Sequence, residues 1–234
     1  MYYRTAKIAI PHYFSASARM PIIPGTPFSV VQHYLAQLRD TVVQSDRQRF
    51  RFNLRRLGLI MAYEISKTMS SEEISVQTPL GTATHRRATP PILIAVLRAA
   101  LPYLEGFQDA FDDADTGFIG AYRKKETAAT GIQVAVDYLA LPNLTGRDVI
   151  LIDPMLATGT SICDSIAMLN QLGPVGSLRI ATLIASPEGV RKVEETFGNK
   201  VTLWTFQVDE GLNPEAYILP GLGDAGDLSF GVKS

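Results

Sequence analysis

Residues 149–161 read VILIDPMLATGTS, an apolar run that ends in Asp153 and passes through small residues toward a helix. Consecutive apolar residues bounded by an acid and a proline are typical of a strand buried on both faces. The small-residue loop precedes a predicted helix at 161–172, which ends before Gly173. Successive backbone N–H groups in such a loop, with the helix N-terminus behind them, can bind an anion. The stretch therefore predicts a parallel strand, an anion-binding loop and a crossover helix.

Short apolar runs alternate with helical segments on both sides of this stretch. The predicted strands lie at 91–97, 117–122, 148–152, 178–185 and 201–206, and the predicted helices at 102–111, 161–172 and 187–197. This alternation predicts parallel strands joined by crossover helices. We expect an α/β fold with a doubly wound, mainly parallel sheet flanked by helices. Residues 133–139 either pair with the strand at 117–122 or form a flap.

The segment before the first of these strands follows another pattern. Helical spacing predicts a helix that begins after Ser29 and a second one over 50–69, and residues 71–79 alternate as a short strand does. Residues 1–28 contain several prolines and aromatic residues and no Asp or Glu, which predicts an N-terminal arm before one domain at 29–234. The prolines argue against an amphipathic targeting helix. Neither the arm nor the helix after Ser29 has an evident place in an α/β core, so we expect them at the interface of a homo-oligomer.

Composition excludes several classes of protein. The 234 residues carry a net charge of −1, with 46% hydrophobic and 19% charged residues. There is no global basic excess, so we expect neither a nucleic-acid partner nor an anionic membrane surface. The apolar runs are strand-length, far below the roughly 20 residues of a transmembrane helix. Cys163 is the single cysteine, which excludes an internal disulfide and indicates a reducing, cytoplasmic location.

Six segments match, in the same order, the motifs of a known family. They are MAYE at 61–64, LRA at 97–99, IGAYR at 119–123, the loop at 153–161, ASPEGV at 185–190 and YILPGLGDAGD at 217–227. Over about residues 29–232 the chain resembles the uracil phosphoribosyltransferases of the type I phosphoribosyltransferase family. The last segment is the most specific, because it marks the uracil-binding subgroup. The resemblance implies pyrimidine salvage: transfer of a phosphoribosyl group from phosphoribosyl pyrophosphate (PRPP) to uracil, giving UMP and pyrophosphate.

The resemblance also implies the site residues. PRPP would be bound by Arg98, Arg123, Asp153, Pro154, Met155, Leu156, Ala157, Thr158, Gly159, Thr160, Ser161 and Asp224. A small C-terminal hood would bind uracil through Ile218, Gly223, Asp224 and Ala225. Asp153 and Arg123 would be the catalytic residues. Mg²⁺ is the expected cofactor, held mainly by PRPP and water rather than by a protein cage.

The residue types fit these roles, although each has a simpler interpretation. The Asp153 carboxylate would repel a phosphate but suits the hydroxyls of a neighbouring sugar. The simpler interpretation of the loop is a tight strand-to-helix turn. Arg98 and Arg123 follow apolar strands at the same sheet edge, where guanidinium groups suit pyrophosphate oxygens. In the simpler interpretation, each of the two is an arginine at the surface, paired with an acidic residue. The glycines at 217–231 are typical of backbone that contacts a flat base, or of a turn near a chain end.

The chain also departs from the family pattern. Ala100 stands where the family has a glycine near pyrophosphate, Thr160 where the uracil subgroup has a glycine, and Gly211 and Leu228 where it has arginines. A methyl group at position 100 predicts crowding of pyrophosphate.

Three questions stay open at the level of sequence. The alternative function is a catalytically weak regulator on the same fold that senses nucleotides or binds RNA, and a third possibility is an enzyme for another base. Residues 124–130 form either a mobile flap or a solvated charge run. The expected homo-oligomer is a dimer or a tetramer.

Overall fold

The computed structural model describes residues 28–123 and 134–233, with only the backbone at 121–123 and 134–137. The helices in these ranges are α1 (Val30–Arg39), α2 (Arg47–Ser66), α3 (Leu101–Ala110), α4 (Thr160–Leu172), α5 (Pro187–Phe197) and α6 (Ala225–Phe230). The strands are β1 (Ser71–Thr78), β2 (Gly81–Ala88), β3 (Ile92–Leu97), β4 (Asp115–Arg123), β5 (Val134–Ala140), β6 (Asp148–Ile152), β7 (Met155–Leu156), β8 (Ser177–Ala185), β9 (Thr202–Val208), β10 (Gly211–Leu212) and β11 (Ile218–Leu219).

The central sheet is mainly parallel, as predicted. Its order is β5-β4-β3-β6-β8, with β9 and the two-residue β7 both paired to β8. β3 pairs in parallel with β4 and β6, and β8 pairs in parallel with β6, β7 and β9. β5 pairs with β4 in the antiparallel direction, which decides between the two alternatives for residues 133–139. The carboxyl ends of the parallel strands therefore meet at one edge.

Both faces of the sheet are covered by helices, which makes the fold doubly wound. Leu93 and Ala95 of β3 belong to the hydrophobic cluster that contains α1, α2 and α3. Ile92 and Ile94 belong to the cluster on the opposite face, with α4 and α5. Alternate side chains of the same strand thus enter two different cores. This explains why the strand appears in the sequence as a continuous apolar run.

The position of α1 corrects one expectation. We expected the helix after Ser29 to have no place in the core, but Val31, Leu35 and Leu38 are buried in the main cluster. Each such side chain contributes about 1.5–3 kcal/mol when fully buried. The Ser29 hydroxyl caps the helix by accepting from the Val31 N–H at 3.3 Å, as predicted. The α1 helix is therefore part of the domain, while the rest of the predicted arm, residues 1–27, lies outside the described residues.

Four small elements had not been predicted. Residues 71–88 form an antiparallel hairpin, β1–β2, of which only the first strand was expected. Its second strand carries charged and polar residues that hide the alternation. The C-terminal segment contains the two-stranded β10–β11 sheet and the short helix α6, where a loop rich in glycine was expected.

Candidate active site

A cavity lies at the carboxyl edge of the sheet, where β3 and β6 end and α6 begins. Its walls are residues 97–99 after β3, Asp153 and residues 155–162 after β6, and Asp224, Gly226 and Lys233 from the C-terminal segment. The predicted anion loop and part of the predicted base loop, which are separated by more than fifty residues in the chain, therefore face the same space. Leu156 and Pro154 are buried and support the loop, rather than exposing side chains to solvent.

The loop after β6 turns its backbone toward this cavity. Asp153 N–H donates to the Ala181 carbonyl at 3.1 Å, so the loop starts from the sheet itself. Gly159 has φ +76 and precedes the first residue of α4. The Thr158 and Thr160 hydroxyl oxygens lie 3.1 Å apart. The Thr160 N–H donates to the Thr158 hydroxyl at 3.3 Å, and the N–H groups that follow it at the start of this thirteen-residue helix, with the hydroxyls beside them, form an anion-binding geometry.

Asp153 has the most perturbed acidity in this cavity. Burial raises the pKa of Asp153 to about 7, a hydrogen bond from the Met155 N–H opposes the shift, and the negative charge of Asp224 adds to it. The Met155 N–H bond measures 3.2 Å. A carboxylate kept partly out of water next to a second carboxylate is poised to accept hydroxyl hydrogen bonds or to face a cation.

Arg98 lines the cavity, but its guanidinium is already held by the C-terminal segment. Its Nη2 donates to Asp227 Oδ1 and to the Gly231 carbonyl, both at 2.7 Å. Its Nε is buried and has no hydrogen-bond partner among the described residues. Arg98 therefore ties the end of β3 to α6 through Nη2, and its Nη1 donates no hydrogen bond within the described residues.

Arg123 is the last residue of β4, three residues beyond Gly120, which pairs with the last residue of β3. Its side chain, and residues 124–130 that we interpreted as a flap or a charge run, lie outside what the structure describes. The backbone position agrees with the predicted sheet edge. Its role toward PRPP stays a prediction.

The predicted base loop is held in place by two residues that the sequence analysis missed. Arg39, the last residue of α1, forms two hydrogen bonds of 2.8 Å with the Asp209 carboxylate. Arg39 also donates to the Gly221 carbonyl at 2.9 Å, and the Gly221 N–H donates to Asp209 at 3.1 Å. Gly221 has φ +58, and a side chain there would collide with the Ile218 carbonyl. We call Arg39, Asp209 and Gly221 the base-loop clamp.

The residues expected to contact uracil divide into two groups. Gly223 and Asp224 are exposed, and Asp224 caps α6 by accepting from the Asp227 N–H at 2.9 Å. Ile218 and Ala225 are buried side chains of the main hydrophobic cluster. Of these four residues Asp224 lines the cavity, whereas Ala225 is enclosed completely, and their role toward uracil stays a prediction.

Comparison with known proteins identifies the family. A family model described as "Uracil phosphoribosyltransferase" matches residues 26–232. The chain belongs to the uracil phosphoribosyltransferase family. A uracil phosphoribosyltransferase of Porphyromonas gingivalis is 38% identical over 89% of this chain and 97% of its own length. One from Pyrococcus furiosus is 35% identical over 86% of both chains.

A solved structure supports the fold of this phosphoribosyltransferase family member. The AQ2163 protein from Aquifex aeolicus superposes with a TM-score of 0.80 at 31% sequence identity, over 91% of this chain and 99% of its own. Within residues 28–123 and 134–233, no helix combines the length and hydropathy of a transmembrane span.

The phosphoribosyltransferase fold also corrects the expectation for Ala100. Its side chain is fully buried in the main hydrophobic cluster, and the cavity is lined by residues 97–99 instead. The methyl group therefore packs in the core and has no place among the cavity walls that would meet pyrophosphate.

Ala100→Gly should consequently lower stability without improving the use of PRPP. Ala100 has φ −74 and ψ −14, which alanine adopts without strain. Its removal loses packing and loosens the unfolded chain, at a cost of about 1 kcal/mol, or roughly 2–4 °C in melting temperature. Thermal melting and the KM for PRPP, measured on the same variant, check this. A lower KM with unchanged stability would restore the crowding hypothesis.

Proposed function

We propose that this chain catalyses the reaction of its family, PRPP + uracil → UMP + pyrophosphate, in pyrimidine salvage. The observation that carries the proposal is one cavity bounded by the N–H-rich loop at 155–161, the half-buried Asp153, Arg98 and the clamped C-terminal loop. These walls offer donors for phosphate, an acceptor for sugar hydroxyls and backbone for a base. PRPP, which carries a phosphate and a ribose, together with a planar base beside its ribose meets all three.

The loop would bind the 5′-phosphate of PRPP and Asp153 the ribose hydroxyls. Backbone N–H groups and the N-terminus of α4 favour a dianion, whereas the Asp153 carboxylate repels one and accepts O–H donors. Arg98, which lines the cavity, and Arg123 would donate hydrogen bonds to the pyrophosphate oxygens. Uracil N1 would then bond to ribose C1 and lose its proton to water or to the departing pyrophosphate, which takes the electron pair of the broken C1–O bond. Placing the two reactants in line accounts for much of the acceleration, and stabilising the leaving charge for more.

The donor set fits Mg²⁺ held mainly by substrate. Among the described residues no three His, Cys, Asp or Glu side chains cluster, so no protein cage is formed there. Asp153 and Asp224 are nevertheless close enough for the charge of one to raise the pKa of the other. One or two carboxylates combined with substrate phosphates is the arrangement that Mg²⁺ prefers. The ion would neutralise negative charge on pyrophosphate. Asp153 and Asp224 would hold the water ligands of the ion.

The base would be read by the backbone of residues 223–225 and the region of Ile218. Uracil presents two carbonyl acceptors and two N–H donors at its edge, which a loop of N–H and C=O groups matches without a charged side chain. The base-loop clamp fixes the Ile218 to Gly221 segment that leads into this backbone. Purine bases present a different edge pattern and a larger outline.

Ala225→Val should raise the KM for uracil more than that for PRPP. Ala225 is fully buried, so the added methyl groups overpack the core and displace the loop backbone, at about 1–3 kcal/mol of stability. Ala62→Val, at an equally buried site on α2, is the matched control and should leave the ratio of the two KM values unchanged. Equal effects on both substrates at position 225 would mean that this loop does not read the base.

The base specificity can be tested with PRPP and a panel of uracil, cytosine, hypoxanthine and adenine. We expect UMP from uracil and no comparable product from the purines. If the main nucleotide product came from another base, that base and not uracil would be the substrate. Binding of RNA without any turnover would favour the regulator.

We also propose a cytoplasmic homo-oligomer whose domain spans residues 29–234, preceded by an arm at 1–28. Exposed apolar side chains on α2 support association: Phe52, Leu59 and Tyr63 are spaced along one exposed stripe. Light scattering should give at least a dimer at micromolar concentration. A fully active monomer would refute this.

A further inference from the structure

Lys192, on α5, lies against the anion-binding loop of the neighbouring segment. Its Nζ donates to the Thr160 hydroxyl oxygen at 2.8 Å, and that oxygen lies 3.1 Å from the Thr158 hydroxyl oxygen. Lys192 is half-buried, whereas the preceding Arg191 is exposed. The sequence analysis assigned no role to either residue.

The N-terminus of α5 is fastened to this loop, which fixes where Lys192 points. The Ser186 hydroxyl donates to the Ala157 carbonyl at 2.6 Å and accepts from the Gly189 N–H at 2.9 Å. The Ser186 N–H donates to the Leu156 carbonyl at 2.9 Å. A side chain on Gly189 would collide with the Ala157 carbonyl, so glycine permits the close approach of α5. Lys192 follows one turn later and reaches Thr160.

The ammonium group of Lys192 has a neutral partner and spare donors. Within the described part of the chain, no carboxylate lies within 4.0 Å of its Nζ. An ammonium carries three N–H donors, and the Thr160 hydroxyl takes one. A partly buried charge without a counterion is costly, and an anion placed at the loop would supply the counterion.

We propose that Lys192 binds the 5′-phosphate of the substrate together with the loop at 157–161. This rests on the proposed function, because it deepens the assignment of that loop. Lys192 would add a full positive charge to a site otherwise made of backbone N–H groups, hydroxyls and the start of α4. The loop follows β6, whereas Arg98 follows β3 and is assigned to pyrophosphate. Lys192 contacts the loop, so it would serve the 5′-phosphate end of the substrate and not the pyrophosphate end.

Calorimetry with ribose 5-phosphate and with inorganic pyrophosphate separates the two ends without turnover. Lys192→Met should weaken ribose 5-phosphate binding roughly tenfold, the loss expected for one charged hydrogen bond, and leave pyrophosphate binding unchanged. Arg191→Met removes the same charge from the same helix and should change neither. Equal weakening of both ligands, or of neither, would overturn the proposal.

Two further variants separate binding from support of the loop. Lys192→Arg keeps the charge and should retain most of the affinity for ribose 5-phosphate. Lys192→Gln keeps a donor for Thr160 but not the charge, so it should lose that affinity. Full affinity in the Gln variant would mean that Lys192 only positions Thr160, which contradicts the proposal. These conservative variants also carry the test if the Met variant does not fold. Failure of the proposed function would appear separately, as absence of UMP formation by the unaltered protein.

Discussion

Asp153→Asn is expected to lower turnover by roughly 10- to 100-fold and to raise thermal stability at neutral pH. The first effect follows because amide replaces a charged acceptor for the ribose hydroxyls, a loss of about 1.5–3 kcal/mol. The second follows because asparagine still accepts from the Met155 N–H but carries no charge into a half-buried position that raises the pKa of the native carboxyl. Improved stability with lost activity is the signature of a residue kept for function.

The pH dependence of stability follows from the raised pKa of Asp153. Its value is about 7 in the folded protein and roughly 3.9 in an unfolded chain, so the folded state binds the proton more tightly. This contribution to stability is fully present below about pH 4 and is lost as the pH rises to about 7. The melting-temperature gap between the Asn variant and the unaltered protein should therefore widen from pH 4 to 7 and stay constant above.

The pH dependence of catalysis should change with the same substitution. If the ionised carboxylate accepts the ribose hydroxyls, kcat/KM for PRPP rises with pH up to about 7. This rise of kcat/KM with pH should be absent in the Asn variant. Any pH dependence that comes from titration of PRPP itself should be the same in both enzymes. Asp112→Asn, at an exposed carboxylate before β4, is the matched control. Unaltered kinetics or a retained rise with pH in the Asp153 variant would remove Asp153 from the site.

Arg39→Met is expected to raise the KM for uracil at least fivefold and to lower stability by about 3 kcal/mol. Asp209 is buried and would lose its only cationic partner among the described residues, which for a buried pair costs about 3–5 kcal/mol. The Gly221 carbonyl would lose a donor as well. The melting temperature should fall by roughly 6–12 °C, and the KM for PRPP should change less than that for uracil.

A second Arg–Asp pair in the same protein provides the control for the clamp. Arg179 pairs with Asp148 at 3.3 Å at the amino end of β6, the opposite edge of the sheet from the cavity. Arg179→Met should lower stability and leave both KM values unchanged. Arg39→Lys keeps the charge but cannot make the paired contacts, so it should give an intermediate KM for uracil. Equal KM changes in the Arg39 and Arg179 variants would contradict a positioning role for the clamp.

Local sequence signals predicted the sheet and its carboxyl edge well. The strands β3 and β6 are almost entirely apolar, and α5 was predicted with its observed bounds because Ser186, Pro187 and Gly198 mark its ends. The resemblance correctly identified the family. The hairpin strand β2 was missed because its charged side chains conceal the period of two.

Partners distant in sequence could not be predicted from the pattern. Arg39 and Asp209 are separated by 170 positions, and neither has an unusual neighbourhood in the chain. Lys192 lies 32 positions from Thr160 and looks like an ordinary helix-surface lysine. The burial of Ala100 depends on how α3 packs on the sheet. A comparison with a family motif carries no information about this packing.

The most direct test of the central claim is the stoichiometry of product formation by the unaltered protein with PRPP and Mg²⁺, with and without uracil. The account predicts equal amounts of UMP and pyrophosphate when uracil is present, and neither product in comparable amount when it is absent. Pyrophosphate released without UMP would make the protein a PRPP hydrolase, and no product under either condition would contradict the assignment of this cavity to phosphoribosyl transfer.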